Sequence, residues 1–343
     1  MKTEAAVLVE TGKSLVLAEL EIPPLEAGQV LVEIRVSGVC HTQVLEARGY
    51  RGEDRYLPHC LGHEAAGIVR ETGPGVSKVQ ESDPVILSWM KGTGLDPLGT
   101  RYRWGDRTVN AGAITTFSRY SVVSENRLVS MPEDVSLNDA AILGCAVATG
   151  LGAVINVAKP LPGQSVAVFG TGRIGLSAVL AAVVSGCTPV IAVDLNEEKL
   201  RIAGQLGATH PLKSTAPLEQ VLDICPGGVD FAIEASGRPN LMVTALRSVR
   251  SRGGTAVVVG NARQGEFIEL DPKELNLGKR LLGTWGGDNE PDRDFPRYFR
   301  LVQSGKMNLA AITPRRYRLD QVNEALDDLE SGSAVRPLIS FES

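Results

Sequence analysis

The spacing of apolar and polar positions divides this chain into two regimes. Up to about residue 150, short apolar runs alternate with glycine- and proline-containing turns, as in AAVLVE (5–10), LVLAEL (15–20), VLVEIRVSGVC (30–40), AAGIVRETGPGV (65–76) and DPVILSW (83–89). Runs this short, separated by turn residues, predict a strand-rich domain. From about Leu151 the pattern becomes an alternation of strand and helix. SVAVF (165–169), PVIAV (189–193), DFAIEA (230–235) and GTAVVVG (254–260) read as buried parallel strands, with helices predicted over 174–185 and 197–206 between them. An amphipathic helix over 319–329 and a closing apolar strand complete the chain. The fold class expected is therefore α/β: a doubly wound parallel sheet of Rossmann type joined to a smaller strand-rich domain.

Two local patterns add chemistry. After the run ending at Phe169 come Gly170, Thr171, Gly172, Arg173, Ile174 and Gly175, then a long apolar stretch, then the second strand ending in Asp194, nineteen residues beyond Gly175. This is the strand, glycine turn, helix, strand, acid order of a dinucleotide-binding unit, in which the turn places a pyrophosphate on a helix N-terminus. A carboxylate at Asp194 accepts both adenosine ribose hydroxyls and repels a 2′-phosphate. Neither Leu195 nor Asn196 supplies a compensating positive charge, so NAD is expected rather than NADP.

The second pattern is spread over three segments: GVCHT with Cys40, LGHE with His63, and LGCAVATG with Cys145. Two thiolates and one imidazole suit Zn²⁺, and three protein ligands leave a fourth position open, which is the mark of a catalytic site. Taken singly, Cys40 and Cys145 read as small buried hydrophobes and His63 as a structural histidine; taken jointly, with the glycine turn, they read as a metal site. Cys60 reads as a core neighbour, and Cys187 and Cys225 have no cluster of metal-binding residues near them in the chain.

These motifs, in this order and spacing, resemble those of the zinc-dependent alcohol dehydrogenases of the medium-chain dehydrogenase/reductase family, and the resemblance runs to the C-terminal RPLISF. It implies a GroES-like, zinc-binding catalytic domain from residues 1–147 and 287–343 and a Rossmann domain from 148–286. It implies one catalytic zinc and no second, structural zinc, because relatives hold that ion with four cysteines and this chain has none between Cys60 and Cys145. A cysteine at 145, where polyol and threonine dehydrogenases carry a glutamate, points to the alcohol dehydrogenase branch.

By the same resemblance Thr42 is the hydroxyl that relays the substrate proton, and Glu64 is a carboxylate near the metal. Thr149, Lys199 and Arg336 lie near nicotinamide, adenosine ribose and pyrophosphate respectively. Two positions depart from the pattern. Gln43 stands where relatives carry an aspartate that supports the zinc-bound histidine, and its carbonyl is expected to accept the imidazole N–H. Leu45 stands where some relatives end the relay in a histidine. Residues 88–119 read as one long loop, rich in glycine, arginine and aromatics, serving function or subunit contact.

Composition narrows the partners. A net charge of −5 gives no electrostatic reason to expect nucleic acid or an anionic membrane, and no apolar run is long enough to span a bilayer. Five cysteines, with two wanted as thiolates, favour a reducing cytoplasm. The expected activity is hydride transfer between NAD and a primary or secondary alcohol, giving an aldehyde or ketone, in a homodimer or homotetramer. The alternatives are a biosynthetic dehydrogenase of a sugar or cyclitol hydroxyl, suggested by Arg101, Arg103 and Asp106, and a zinc-free quinone or enoyl reductase or a non-catalytic dinucleotide-binding member of the same fold.

Overall fold

A computed structural model describes residues 1–309, 315–334 and 337–341. The chain forms two compact units, one holding Met1–Cys145, Glu290–Gln303 and the described residues from 315 on, the other holding Ala146–Asn289 and residues 304–309.

The first unit begins with β1 (Lys2–Leu8), β2 (Val16–Glu21) and β3 (Gln29–Gly38), followed by helix α1 (His41–Ala47). Then come β4 (His59–Cys60), β5 (Glu64–Thr72), β6 (Pro84–Ser88), β7 (Thr100–Trp104), β8 (Arg107–Gly112), β9 (Tyr120–Ser124), β10 (Leu128–Ser130) and helix α2 (Leu137–Leu143). Strands β1, β2, β7, β8 and β4 close a barrel. The alternation read from the sequence works here as expected: in β2 and β7 every second residue is buried, and Ala18, Leu20 and Tyr102 meet Val7 and Val109 inside. Tyr102 is fully buried, and its hydroxyl accepts the Val122 N–H at 2.8 Å, so the phenol oxygen is not left unpaired.

The stretch 88–119 is therefore not one loop. It carries the β7–β8 hairpin that closes the barrel, turned at Gly105 and Asp106. The hairpin leaves little trace in the sequence because TRYRW and RTVNAG alternate arginine and polar residues with only one or two apolar side chains each, too few to register as strands. Arg101, Arg103 and Asp106 are exposed on this hairpin, Arg103 facing Glu21 at 3.9 Å. They give no support to a sugar or cyclitol subsite.

The second unit opens with helix α3 (Ala146–Gly152) and then runs β11 (Val166–Phe169), α4 (Arg173–Val184), β12 (Val190–Asp194), α5 (Glu197–Gln205), β13 (His210–Lys213) and α6 (Leu218–Ile224). It continues through β14 (Phe231–Glu234), α7 (Pro239–Ser248), β15 (Thr255–Val258), α8 (Pro272–Asn276) and β16 (Arg280–Gly283). Its six strands pair in parallel in the order β13-β12-β11-β14-β15-β16. The predicted strands and the helices at 174–185 and 197–206 fall within a residue or so of these elements. Parallel pairing with helices on the sheet faces buries β11, β12 and β14, which is why they read as unbroken apolar runs.

The chain then returns to the first unit through α9 (Pro291–Gln303), β17 (Arg315–Tyr317), α10 (Val322–Ser331) and β18 (Pro337–Ser340), the last pairing antiparallel with β3. Thus β10, β6, β5, β3, β18 and β17 form one sheet, with β9 added on β3. The helix expected over 319–329 is a short 3₁₀ turn, Leu319–Gln321, running into α10. No single helix among the described residues is long and apolar enough to cross a membrane.

Candidate metal and dinucleotide sites

Three segments of the first unit converge on one point. Cys40 caps the N-terminus of α1 just after β3, His63 immediately precedes β5, and Cys145 follows α2. Cys40 Sγ lies 4.0 Å from Cys145 Sγ, and His63 Nε2 lies 3.2 Å from Cys145 Sγ. All three donor atoms are within 4.8 Å of one another, and no other His, Cys or acidic donor among the described residues belongs to this group. Cys60 is buried with its thiol pushed up to about 12, the behaviour of a core residue.

Close approach of the three segments depends on glycine. A Cβ at Gly144 would lie 2.3 Å from the Leu87 carbonyl oxygen, so a larger residue there would push the turn into Cys145 away, and one at Gly38 would lie 2.5 Å from Glu64 Oε1 and displace that side chain. Glu64 is fully buried at the start of β5, its side chain filling the space that Gly38 leaves open. Ser88, whose hydroxyl donates to the Gly144 carbonyl at 2.6 Å, fixes the turn into Cys145.

The donor set fits a zinc ion. A tetrahedral centre with Zn–S near 2.3 Å separates two thiolates by about 3.8 Å, close to the sulfur separation seen here. The electrostatics agree. Burial alone would lower the His63 imidazole, yet it is held above its ordinary value by a hydrogen bond to Cys40 and by the charges of Cys40, Glu64 and Glu46. The surroundings are thus negative and call for a cation. Thr42 Oγ1 stands 3.9 Å from Cys40 Sγ in the first turn of α1, beside the donor set.

Two residues of α1 shape the surroundings of His63 in ways that the sequence did not show. Gln43 Nε2 lies 2.5 Å from His63 Nδ1, while Gln43 Oε1 accepts the Cys40 backbone N–H at 2.9 Å. The expected contact with His63 is present, but the carbonyl oxygen is engaged elsewhere and the amide nitrogen faces the ring. Glu46, one turn further along α1, has its carboxyl raised by burial, opposed by the charges of His63, Arg51 and His59, and it pairs with Arg51 at 3.0 Å. An i, i+3 spacing from Gln43 would have located Glu46, but only once residues 41–47 were known to be helical.

In the second unit the glycine turn joins β11 to α4. Gly170 has φ +88°, and a Cβ at Gly175 would sit 1.8 Å from the Gly170 carbonyl oxygen, so both positions demand glycine. Gly172 is the N-cap of α4 with no side-chain cap, and a Cβ there would meet open space. The first N–H groups of α4 therefore lack a capping side chain, an arrangement suited to a pyrophosphate. Arg173 is buried and Ile174 half-buried in the first turn of this helix.

Asp194 ends β12 facing this turn. Its Oδ2 accepts the Thr171 N–H at 2.7 Å, and its Oδ1 accepts the Leu195 and Asn196 N–H groups at 2.8 and 2.9 Å. Burial would raise its carboxyl, but the Asn196 and Thr171 N–H groups and the charge of Lys199 hold it below the ordinary range. Lys199 is half-buried in α5, and Thr149 is buried in α3. Arg336 lies outside the described residues.

A two-thiolate, one-imidazole site on a strand-rich domain and a glycine turn on a doubly wound sheet define a metal-dependent, dinucleotide-using dehydrogenase. Comparison with known proteins agrees. Residues 26–133 match the alcohol dehydrogenase GroES-like domain, and residues 174–304 match the zinc-binding dehydrogenase family. The S-(hydroxymethyl)glutathione dehydrogenase of Synechocystis sp. is 35% identical over 99% of this chain and 100% of its own. The crystal structure of benzyl alcohol dehydrogenase from Acinetobacter calcoaceticus superposes with a TM-score of 0.91 at 31% identity, and that of an alcohol dehydrogenase zinc-binding domain protein from Burkholderia ambifaria with 0.90 at 30%, each covering 100% of both chains. The chain belongs to the zinc-dependent alcohol dehydrogenases of the medium-chain dehydrogenase/reductase family. It is an oxidoreductase acting on CH–OH groups, and NAD is the cofactor typical of the family.

Proposed function

We propose that this protein oxidises primary or secondary alcohols to aldehydes or ketones, and runs the reverse reduction, with one zinc ion per chain and NAD. The observation that carries the reading is the convergence of Cys40, His63 and Cys145, whose donor atoms lie within 4.8 Å of one another. When bound, zinc supplies a Lewis acid that lowers the pKa of a coordinated hydroxyl, and NAD accepts the hydride. Cys40, His63 and Cys145 would hold the ion, three donors where a zinc centre takes four.

Thr42, half-buried in the first turn of α1, would take the hydroxyl proton of the alcohol as its own proton passes to water, so that hydride and proton leave the substrate by separate routes. Glu64, buried beneath the ligand segments, adds the negative charge that keeps the site selective for a cation. The turn from Gly170 to Gly175, with Arg173 and Ile174, takes the pyrophosphate. Asp194, Lys199, Thr149 and Arg336 take the adenosine ribose, its flank, the nicotinamide and the pyrophosphate respectively. In functional terms residues 1–147 and 287–343 act as the catalytic domain and 148–286 as the nucleotide domain.

A homodimer or homotetramer is supported by β16, an end strand of its sheet with Leu282 exposed at 40%, and by Trp285 two residues beyond it, exposed at 74%. A cytoplasmic setting is supported by five cysteines, none of which is joined in a disulfide. The relatives' names supply the substrates to try first. The zinc-loaded protein should reduce NAD with members of a panel spanning aliphatic, secondary and benzylic alcohols and the formaldehyde adduct of glutathione, followed by NADH absorbance. A preparation carrying about one zinc per chain that reduces NAD with none of them would refute the reading.

The cofactor choice has its own test. Asp194→Ala removes the carboxylate proposed to hold the ribose hydroxyls and the charge that repels a 2′-phosphate. It also removes three anchors of the glycine turn and neighbouring backbone, which harms NAD and NADP alike, so the ratio of their kcat/KM values is the quantity to measure. That ratio should fall at least about tenfold, since 1.4 kcal/mol suffices and a charge-assisted hydrogen bond contributes about 1.5 to 3. A ratio unchanged within twofold assigns Asp194 to the turn alone.

A further inference from the structure

His59, the first residue of β4, faces two groups that can only accept. Its Nδ1 lies 2.9 Å from the Cys60 carbonyl oxygen, and its Nε2 lies 2.8 Å from Asp54 Oδ2. A neutral imidazole carries one N–H, so it donates to one of these oxygens and turns a lone pair toward the other. Only the imidazolium, with a proton on each nitrogen, makes both bonds.

The surrounding charges favour that form. Glu46 on α1 and Asp54 are acidic, Arg51 binds Glu46 at 3.0 Å, and the charges of both Arg51 and His59 act on the Glu46 carboxyl. Two protons on His59 bring this group of four side chains to neutrality, where the His59 and Asp54 side chains are each only 14% exposed. The Cys60 thiol, pushed up to about 12, adds no charge, and the residues paired with His59 on β1 and β8 are Leu8 and Asn110, which do not titrate.

The contact reaches into the loop between α1 and β4, residues 48–58. Asp54 Oδ1 accepts the Tyr56 N–H at 2.9 Å, so one carboxylate joins the loop backbone to the His59 ring. At the far end Asn110 holds the Tyr56 and Pro58 carbonyls at 2.8 and 2.9 Å, bonds that no proton controls. We propose that His59 is a proton-operated latch: with two protons it ties Asp54 to β4 and orders this loop, and on losing one it gives up a bond and the loop loosens. The stabilisation is present at low pH and is lost as the pH rises. Because the loop joins the helix that follows Cys40 to the strand that leads to His63, its order bears on both segments.

Hydrogen exchange of residues 50–56 in the zinc-loaded protein tests this at about pH 5.5 and about pH 8.5, on either side of the range in which imidazoles titrate. Each rate is divided by that of the unstructured peptide at the same pH. Protection of the loop should fall at least about threefold from the lower pH to the higher, with β5 unchanged. His59→Gln has no titrating ring, and its loop should be equally protected at both values. Asp54→Asn keeps an acceptor for the Tyr56 N–H without the charge, and at about pH 5.5 it should show the weaker protection of the wild type at about pH 8.5.

A wild-type loop equally protected at both values overturns the latch. So does a pH dependence that survives in His59→Gln, which would assign it to another group such as Glu46. If His59→Gln does not fold, Asp54→Asn decides: a loop as well protected as that of the wild type at about pH 5.5 overturns the proposal.

Discussion

Cys145→Ser should lower kcat/KM by at least about a thousandfold while leaving NAD affinity within about twofold. The side chain is nearly isosteric and only 7% exposed, so the substitution opens no cavity that would disturb α2 or the sheet beneath it. What it removes is a soft donor from a three-donor site. A hydroxyl is a poor ligand for zinc, and losing the ion forfeits several kcal/mol of charge stabilisation, where each 1.4 kcal/mol is a factor of ten in rate. Cys145 belongs to the unit that holds Cys40 and His63, whereas the glycine turn from Gly170 to Gly175 belongs to the other, so dinucleotide binding has no reason to fail with it. Zinc analysis, steady-state kinetics and NAD titration on one preparation check the result. NAD affinity lost in proportion to activity would mean that Cys145 maintains the fold and not the chemistry.

Thr42→Val should lower kcat by about 10²- to 10⁴-fold with zinc content unchanged, the range expected when a positioned proton acceptor is removed. Valine keeps the β-branched shape and deletes only the hydroxyl that stands 3.9 Å from Cys40 Sγ. Thr42→Ser should restore most of the rate. If both variants lose the same amount, the methyl group matters more than the hydroxyl and the proton leaves by another path.

The zinc donors were legible because each sits in a local motif, and the glycine turn because its backbone demands are local as well. Gly175 shows why: the 1.8 Å that would separate its Cβ from the Gly170 oxygen is set within six residues of chain, so the requirement is written where it acts. The hairpin β7–β8 was invisible for the opposite reason. Its strands are held by pairing with distant β2 and β4, and the buried Tyr102 is the main apolar contribution of TRYRW to the barrel. Helix α1 was missed because seven residues capped by a cysteine, with no acidic residue in the first turn, carry few of the signals that mark a helix start.

The sequence by itself determined the elements of the nucleotide domain, the strand-rich character of the first domain and the identity of three donors, because periodicity and motif spacing encode contacts between near neighbours. Only the tertiary structure decided what surrounds those donors. That Gln43 Nε2 meets His63 Nδ1 and that Asp194 Oδ2 accepts the Thr171 N–H depend on separate segments meeting at one place, whereas the bond from the Cys40 N–H to Gln43 Oε1 is local to the start of α1. Hydrogen-bond partners are a property of distance and direction in space. A linear chain names the donors and acceptors it carries, and folding settles which of them meet.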